Sequence, residues 1–217
     1  MGAGVDGCRA GWVVVDGGRA WVAPTFADVV SSLPTDAVIG IDIPIGLLEE
    51  SVPGGRACDR LARRRLGPGR TGSVFSAPPR PALGFRSLPE AQTAGFRMTL
   101  QTLNITPKIA DVDATIDPAL QRRVHEVHPE LAFIALADGI PLAHSKRRAA
   151  GRAERVALLR RHGITVPEVP TGAAPDDLLD ACATGWSAGR IAVGTAEGVP
   201  EGEPVLDARG LRMQISW

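Results

Sequence analysis

Short, strongly apolar runs alternate along the chain with turn-forming residues, and the pattern is sharpest over residues 1–47. Gly11-Trp12-Val13-Val14-Val15 predicts a strand and Arg19 to Ala23 its partner. Between them, Asp16-Gly17-Gly18 supplies the positive φ that a tight hairpin turn needs. Gly4-Val5-Asp6-Gly7 marks an earlier strand. Thr25 to Leu33 predicts a short helix, with Thr25 as N-cap and Pro34 as its stop. Ala37 to Ile43 is nearly all apolar, as expected of a strand covered on both faces. A right-handed crossover through the helix at 25–33 returns strand 37–43 parallel to the first.

The pattern is less regular over 48–120. A helix is expected around Ala57 to Leu66, followed by the loop-forming SVFSAPPRP, and another begins near Ser87-Leu88-Pro89-Glu90, a capping-box-like start. Asp113 to Gln121 continues as helix, and Val124 to His128 reads as a second buried strand. Residues 145–162 form a basic amphipathic helix ending at Gly163. The last long helix starts at Ala173-Ala174-Pro175-Asp176-Asp177 and runs to about Gly194, and Leu211 to Trp217 is a terminal strand. The expectation is a single α/β domain over 1–217 with a helical insertion at about 48–120.

Composition narrows the function. The chain has 217 residues, 44% hydrophobic and 22% charged, and a formal net charge of zero, so no global field draws it to nucleic acid. The basic residues are almost all arginines, with Lys108 and Lys146 the exceptions. Cys8, Cys58 and Cys182 are scattered and form no CxxC pair, which argues against a disulfide framework or a structural zinc. No run approaches the eighteen or so apolar residues of a membrane span, and no signal peptide opens the chain. A cytoplasmic location and no membrane partner are expected.

The chemistry sits where carboxylates interrupt apolar elements. Asp6 breaks the first strand and Asp42 the VIGIDIPIG strand, while Asp177 and Asp180 lie three apart on the last helix and share a face. A charge in a buried strand is costly unless it is paired or binds a metal. Parallel strands place Asp6 and Asp42 side by side near their carboxyl ends, where open α/β sheets build sites. Asp42 has no bland structural explanation. Asp6 is also a turn former, and Asp177 is equally well read as a helix N-terminal charge. Asp180, further into the helix, is the better ligand of that pair.

Together, the GVDGCRAGW opening, the IGIDIPIG strand, the CDRLARRRLG…SVF segment, EVHPE and DDLLDA resemble an uncharacterised family of predicted ribonuclease H-like nucleases (DUF429-type). More distantly, Asp6, Asp42 and the Asp177–Asp180 pair are similar to the acidic pattern of RuvC-type resolvases. The resemblance implies a ribonuclease H-like three-layer α/β fold: a mixed central sheet with an antiparallel hairpin edge and helices on both faces. It also implies Mg²⁺- or Mn²⁺-dependent phosphodiester cleavage. Hard oxygen ligands suit these ions, and two of them about 3.5–4 Å apart can activate water and stabilise the leaving oxygen. Asp6 would bridge the ions, with Asp42 and Asp177 or Asp180 completing the sites. The long 48–120 insertion departs from a minimal ribonuclease H.

The remaining candidates handle protons or substrate. Glu126 alternates with His128 on one strand face and is a further ligand or general base, and His128 a proton carrier or substrate contact. Glu130, after Pro129, ranks below Glu126. Arg9, Arg60, Arg64, Arg80 and Lys146 are the candidate phosphate contacts. A solvated helix face is the default reading for Arg60, Arg63 and Arg64, and for Arg147, Arg148, Arg152 and Arg155. The leading expectation is a nuclease acting on DNA or RNA through local arginine patches, with homo-oligomerisation left open. Phosphoryl transfer to a small molecule and a non-catalytic nucleic-acid-binding module are the alternatives.

Overall fold

The computed structural model describes residues 2–217. Strand β1 (Gly2–Cys8) turns back into β2 (Gly11–Asp16), and β2 into β3 (Arg19–Ala23) through Gly17 and Gly18, both with positive φ. Helix α1 (Phe26–Ser32) starts at Thr25, whose hydroxyl accepts from the Asp28 N–H while the Asp28 carboxylate accepts from the Thr25 N–H, a reciprocal cap. Strand β4 (Val38–Ile41) follows. Then come α2 (Ala57–Leu66), α3 (Leu88–Thr93) and α4 (Leu100–Thr115), strand β5 (Val124–Glu126), and helices α5 (Pro129–Leu136), α6 (Ala149–Arg161) and α7 (Pro175–Ala192).

The chain divides into two units. One comprises the residues up to Ile43, Arg122–Gly198 and Ser216–Trp217; the other comprises Pro44–Gln121 and Val199–Ile215. The stretch read as an insertion at 48–120 thus falls inside the second unit, which also recruits residues near the C-terminus.

The first unit holds a five-stranded sheet in the order β3-β2-β1-β4-β5. Strands β1, β4 and β5 run parallel, and β2 and β3 form the antiparallel edge. Trp12, paired with Gly7, meets Phe26 of α1 edge-on, so α1 covers the face that carries Ala3, Val5 and Gly7. The other face belongs to α7, and it is made of glycines. A β-carbon on Gly4 would lie 1.9 Å from the Ala181 carbonyl oxygen, and one on Gly40 would lie 2.5 Å from that of Thr184. The backbone of α7 therefore rests directly on β1 and β4. This mixed sheet with helices on both faces is an α/β architecture compatible with the three-layer ribonuclease H-like fold.

In the second unit, a buried ion pair fixes α2. The Arg56 guanidinium bonds Asp59 and donates to the carbonyls of Ile45 (2.8 Å) and Gly46 (3.1 Å), while Asp59 also accepts from the N–H of Arg56 and Ala77. Arg80 gathers Glu49, Asp113 and Asp207 around one guanidinium. Helix α4 contains Pro107, which lacks the N–H that would bond the Leu103 carbonyl, and the Thr106 hydroxyl donates to that carbonyl instead, at 2.8 Å.

Several regions differ from their sequence expectations. The helix expected over 113–121 is instead the end of α4, which stops at Thr115 and is followed by a short 3-10 turn at Leu120–Arg122. Helix α6 begins at Ala149 rather than at 145. Strand β4 ends at Ile41, so Asp42 lies just beyond it, although the Asp42 N–H still bonds the Val5 carbonyl at 3.1 Å. Strand β5 ends at Glu126, because Pro129 opens α5 and draws His128 into its N-cap position. Residues 211–217 form two short strands, Arg212–Met213 and Ile215–Ser216, in place of one.

Candidate metal centre

The packing of α7 builds the site. Along β1, Gly2, Gly4 and Asp6 point to α7, and β4 continues the same alternation from Gly40 to Asp42. Helix α7 runs against β1, with Ala188 over Gly2 and Ala181 over Gly4. The next residues along this line are Asp6 on the strand and Asp180 on the helix, one turn before Thr184. Asp6, Asp42 and Asp180 each place a carboxylate oxygen within 4.8 Å of the other two. Asp6 and Asp180 are buried and Asp42 is partly so.

Each carboxylate is held differently. Asp6 Oδ1 accepts from the Gly7 N–H at 2.7 Å. Asp180 Oδ2 accepts from the Lys146 ammonium, and Asp180 Oδ1 is buried without a hydrogen-bond partner among the described residues. An unpaired buried carboxylate oxygen costs free energy unless a cation or proton completes it. Burial and then the Asp42 and Asp180 charges hold Asp6 well above the usual carboxylate range, with Lys146 opposing them. Burial raises Asp42 too, against the His128 and Lys146 charges. Asp180 is pushed up to about 6 by burial, which outweighs Lys146. For Lys146, burial works against the charge, but Asp180, Asp42 and Asp6 keep its pKa above the ordinary lysine value. A cluster that suppresses its own ionisation in this way is what a cation would relieve. The donor set, carboxylate oxygens only, fits a hard divalent ion.

The other sequence candidates fall into distinct places. Asp177 is half-buried and its carboxylate accepts from the Ala174 N–H at 2.9 Å, capping α7, although its charge still acts on Asp6. His128 acts electrostatically on Asp42. Glu126 pairs in register with Ile41, on the sheet face away from α7, and so points away from the three aspartates. Arg9 is exposed at the turn after β1. Arg60, Arg64 and Arg80 belong to the second unit. Arg60 donates to the Gly55 carbonyl, Arg64 is exposed, and the Arg80 guanidinium is committed to its three carboxylates.

Two residues have a larger part than their sequence context suggested. Glu130, ranked below Glu126, acts electrostatically on both Asp42 and Asp180 and is ion-paired to Arg155. Arg155, assigned by pattern to a solvated face, is buried and lies over the Phe133 ring at 5.0 Å. One signal was available for the two strand carboxylates. Gly4-Val5-Asp6 and Gly40-Ile41-Asp42 repeat Gly-x-Asp on two parallel strands, a glycine for helix contact two residues before each acid.

A separate cavity of about 850 Å³ lies in the second unit, walled by residues that include Phe75, Pro78, Pro79, Met98 and Arg97. None of the three aspartates lines it. The cysteines are buried free thiols, and among the described residues no helix is long and apolar enough to cross a membrane.

Fold and site define an α/β protein with a buried three-aspartate centre on a mixed sheet. The chain belongs to the family described as "Protein of unknown function (DUF429)", which matches residues 4–205. No curated protein and no solved structure matches it.

Proposed function

We propose that this protein is a divalent-metal-dependent nuclease that hydrolyses phosphodiester bonds in DNA or RNA. The observation that carries the reading is the convergence of Asp6, Asp42 and Asp180 from three separate segments, with one buried Asp180 oxygen lacking a hydrogen-bond partner among the described residues. Bound Mg²⁺ or Mn²⁺ would supply an activated water and charge stabilisation at the phosphoryl oxygens. The protein's own groups do the rest. The Gly7 N–H orients Asp6, and the close fit of α7 on Gly4 and Gly40 fixes the distance of Asp180 from the strand carboxylates. His128, beside Asp42, is the proton carrier. Lys146 and the exposed Arg9 are the phosphate-contacting cations of the first unit. Glu126 takes no part.

The test is cleavage of labelled single-stranded, duplex and branched substrates in Mn²⁺. Wild type should cut at least one of them, and Asp42→Asn should abolish the cutting. Identical behaviour of wild type and Asp42→Asn on every substrate refutes the reading. ATP turnover without strand cleavage would assign the site to small-molecule phosphoryl transfer instead.

A further inference from the structure

Lys146 reaches the aspartates from the segment between α5 and α6, and that segment is tied down at several points. The Glu154 carboxylate accepts from the N–H groups of Ala143 (2.8 Å) and His144 (3.1 Å). Arg155 donates to the His144 carbonyl at 3.2 Å while pairing with Glu130. The backbone at Ser145 crosses Gly151 so closely that a β-carbon there would stand 2.0 Å from the Ser145 carbonyl oxygen. Lys146 therefore extends from a braced loop, and its ammonium bonds Asp180, whose second oxygen is buried without a hydrogen-bond partner among the described residues.

We propose that the Lys146 ammonium takes the part of a second divalent ion, so that the centre binds one divalent cation through Asp6, Asp42 and Asp180. The inference rests on the metal-dependent reading above and replaces the two ions expected from sequence. Charge supports it: three carboxylates and one ammonium leave two formal negative charges, which a single divalent ion neutralises. The remaining acids are compensated where they stand, Glu130 by Arg155 and Asp177 by the N-terminus of its own helix. Asp180 then serves both cations, Oδ2 for the ammonium and Oδ1 for the metal.

The experiment is a Mn²⁺ titration of the full chain after EDTA treatment and desalting, with free Mn²⁺ read from its electron paramagnetic resonance signal. Wild type should bind one ion per chain, Lys146→Met two, and Lys146→Arg one, since arginine restores the charge. Lys146→Gln replaces the methionine variant should that one not fold. Two ions in wild type, or one in the methionine and glutamine variants, overturns the role given to Lys146 and leaves the metal reading intact. No bound ion in wild type overturns both.

Discussion

Replacing Asp42 with asparagine should shift stability in opposite directions with and without a divalent cation. In the metal-free protein, an Asp42 oxygen lies within 4.8 Å of an oxygen from both Asp6 and Asp180. Two unit charges at that separation repel by about 3.5 kcal/mol at an effective dielectric of about 20. Lys146 and His128 offset part of this at Asp42, and the raised pKa values of Asp6 and Asp180 show that protonation relieves more. Asparagine keeps the shape and removes the charge, so the net gain in EDTA should be about 1–3 kcal/mol. For a chain of this length that corresponds to a Tm roughly 3–10 °C higher. In Mn²⁺ at about one thousand times its Kd, wild type gains about 4.1 kcal/mol from binding, an increment the variant lacks. Paired melting curves in EDTA and in Mn²⁺ should therefore show the order of the two proteins reverse. An Asp42→Asn protein that melts below wild type in EDTA, yet rises equally in Mn²⁺, would refute the reasoning.

Four further outcomes follow from the contacts described above. Burial, with the Asp42 and Glu130 charges and against Lys146, lifts Asp180 to about 6 in the folded state, so its contribution to metal-free stability is complete below about pH 4 and is lost as pH rises through about 6. That loss is about 3 kcal/mol; urea denaturation in EDTA should record it together with the losses from Asp6 and Asp42, and Asp180→Asn should make the pH dependence shallower. Mn²⁺ stabilisation should grow across the same interval, because the ion competes with the proton. Gly4→Ala sets a methyl group against the Ala181 carbonyl and should cost about 3 kcal/mol or more, seen as a lower urea midpoint. Arg56→Met leaves Asp59 buried without its cation and should cost about 3–5 kcal/mol in the same assay.

The elements legible in the sequence are those specified by local chemistry. The Gly17-Gly18 hairpin and the Thr25 cap need only a few adjacent residues, and both form as expected. Asp42 stood out because no apolar strand accommodates a carboxylate without cause. Helix α4 was missed, apart from its last residues, because Pro107 and several threonines erase its apolar stripe. The Thr106 hydroxyl covers the carbonyl that Pro107 leaves without its N–H, a contact that spacing does not reveal. Arg155 and Glu130 were misjudged for a related reason. A charge run looks the same whether it faces water or a buried partner, and only tertiary packing joined α5 to α6. The register of β5, which stops at Glu126, turns that side chain toward the α1 face, a placement that only strand pairing decides. The second unit was partly visible as irregular sequence, but its recruitment of residues 199–215 is a long-range choice that no local signal encodes.

The most direct test of the central claim is a crystal soaked in Mn²⁺ and measured at the manganese absorption edge. The account predicts an anomalous peak at coordination distance, about 2–2.6 Å, from oxygens of Asp6, Asp42 and Asp180. A fully soaked crystal with no peak there, or with manganese bound only elsewhere, would contradict it.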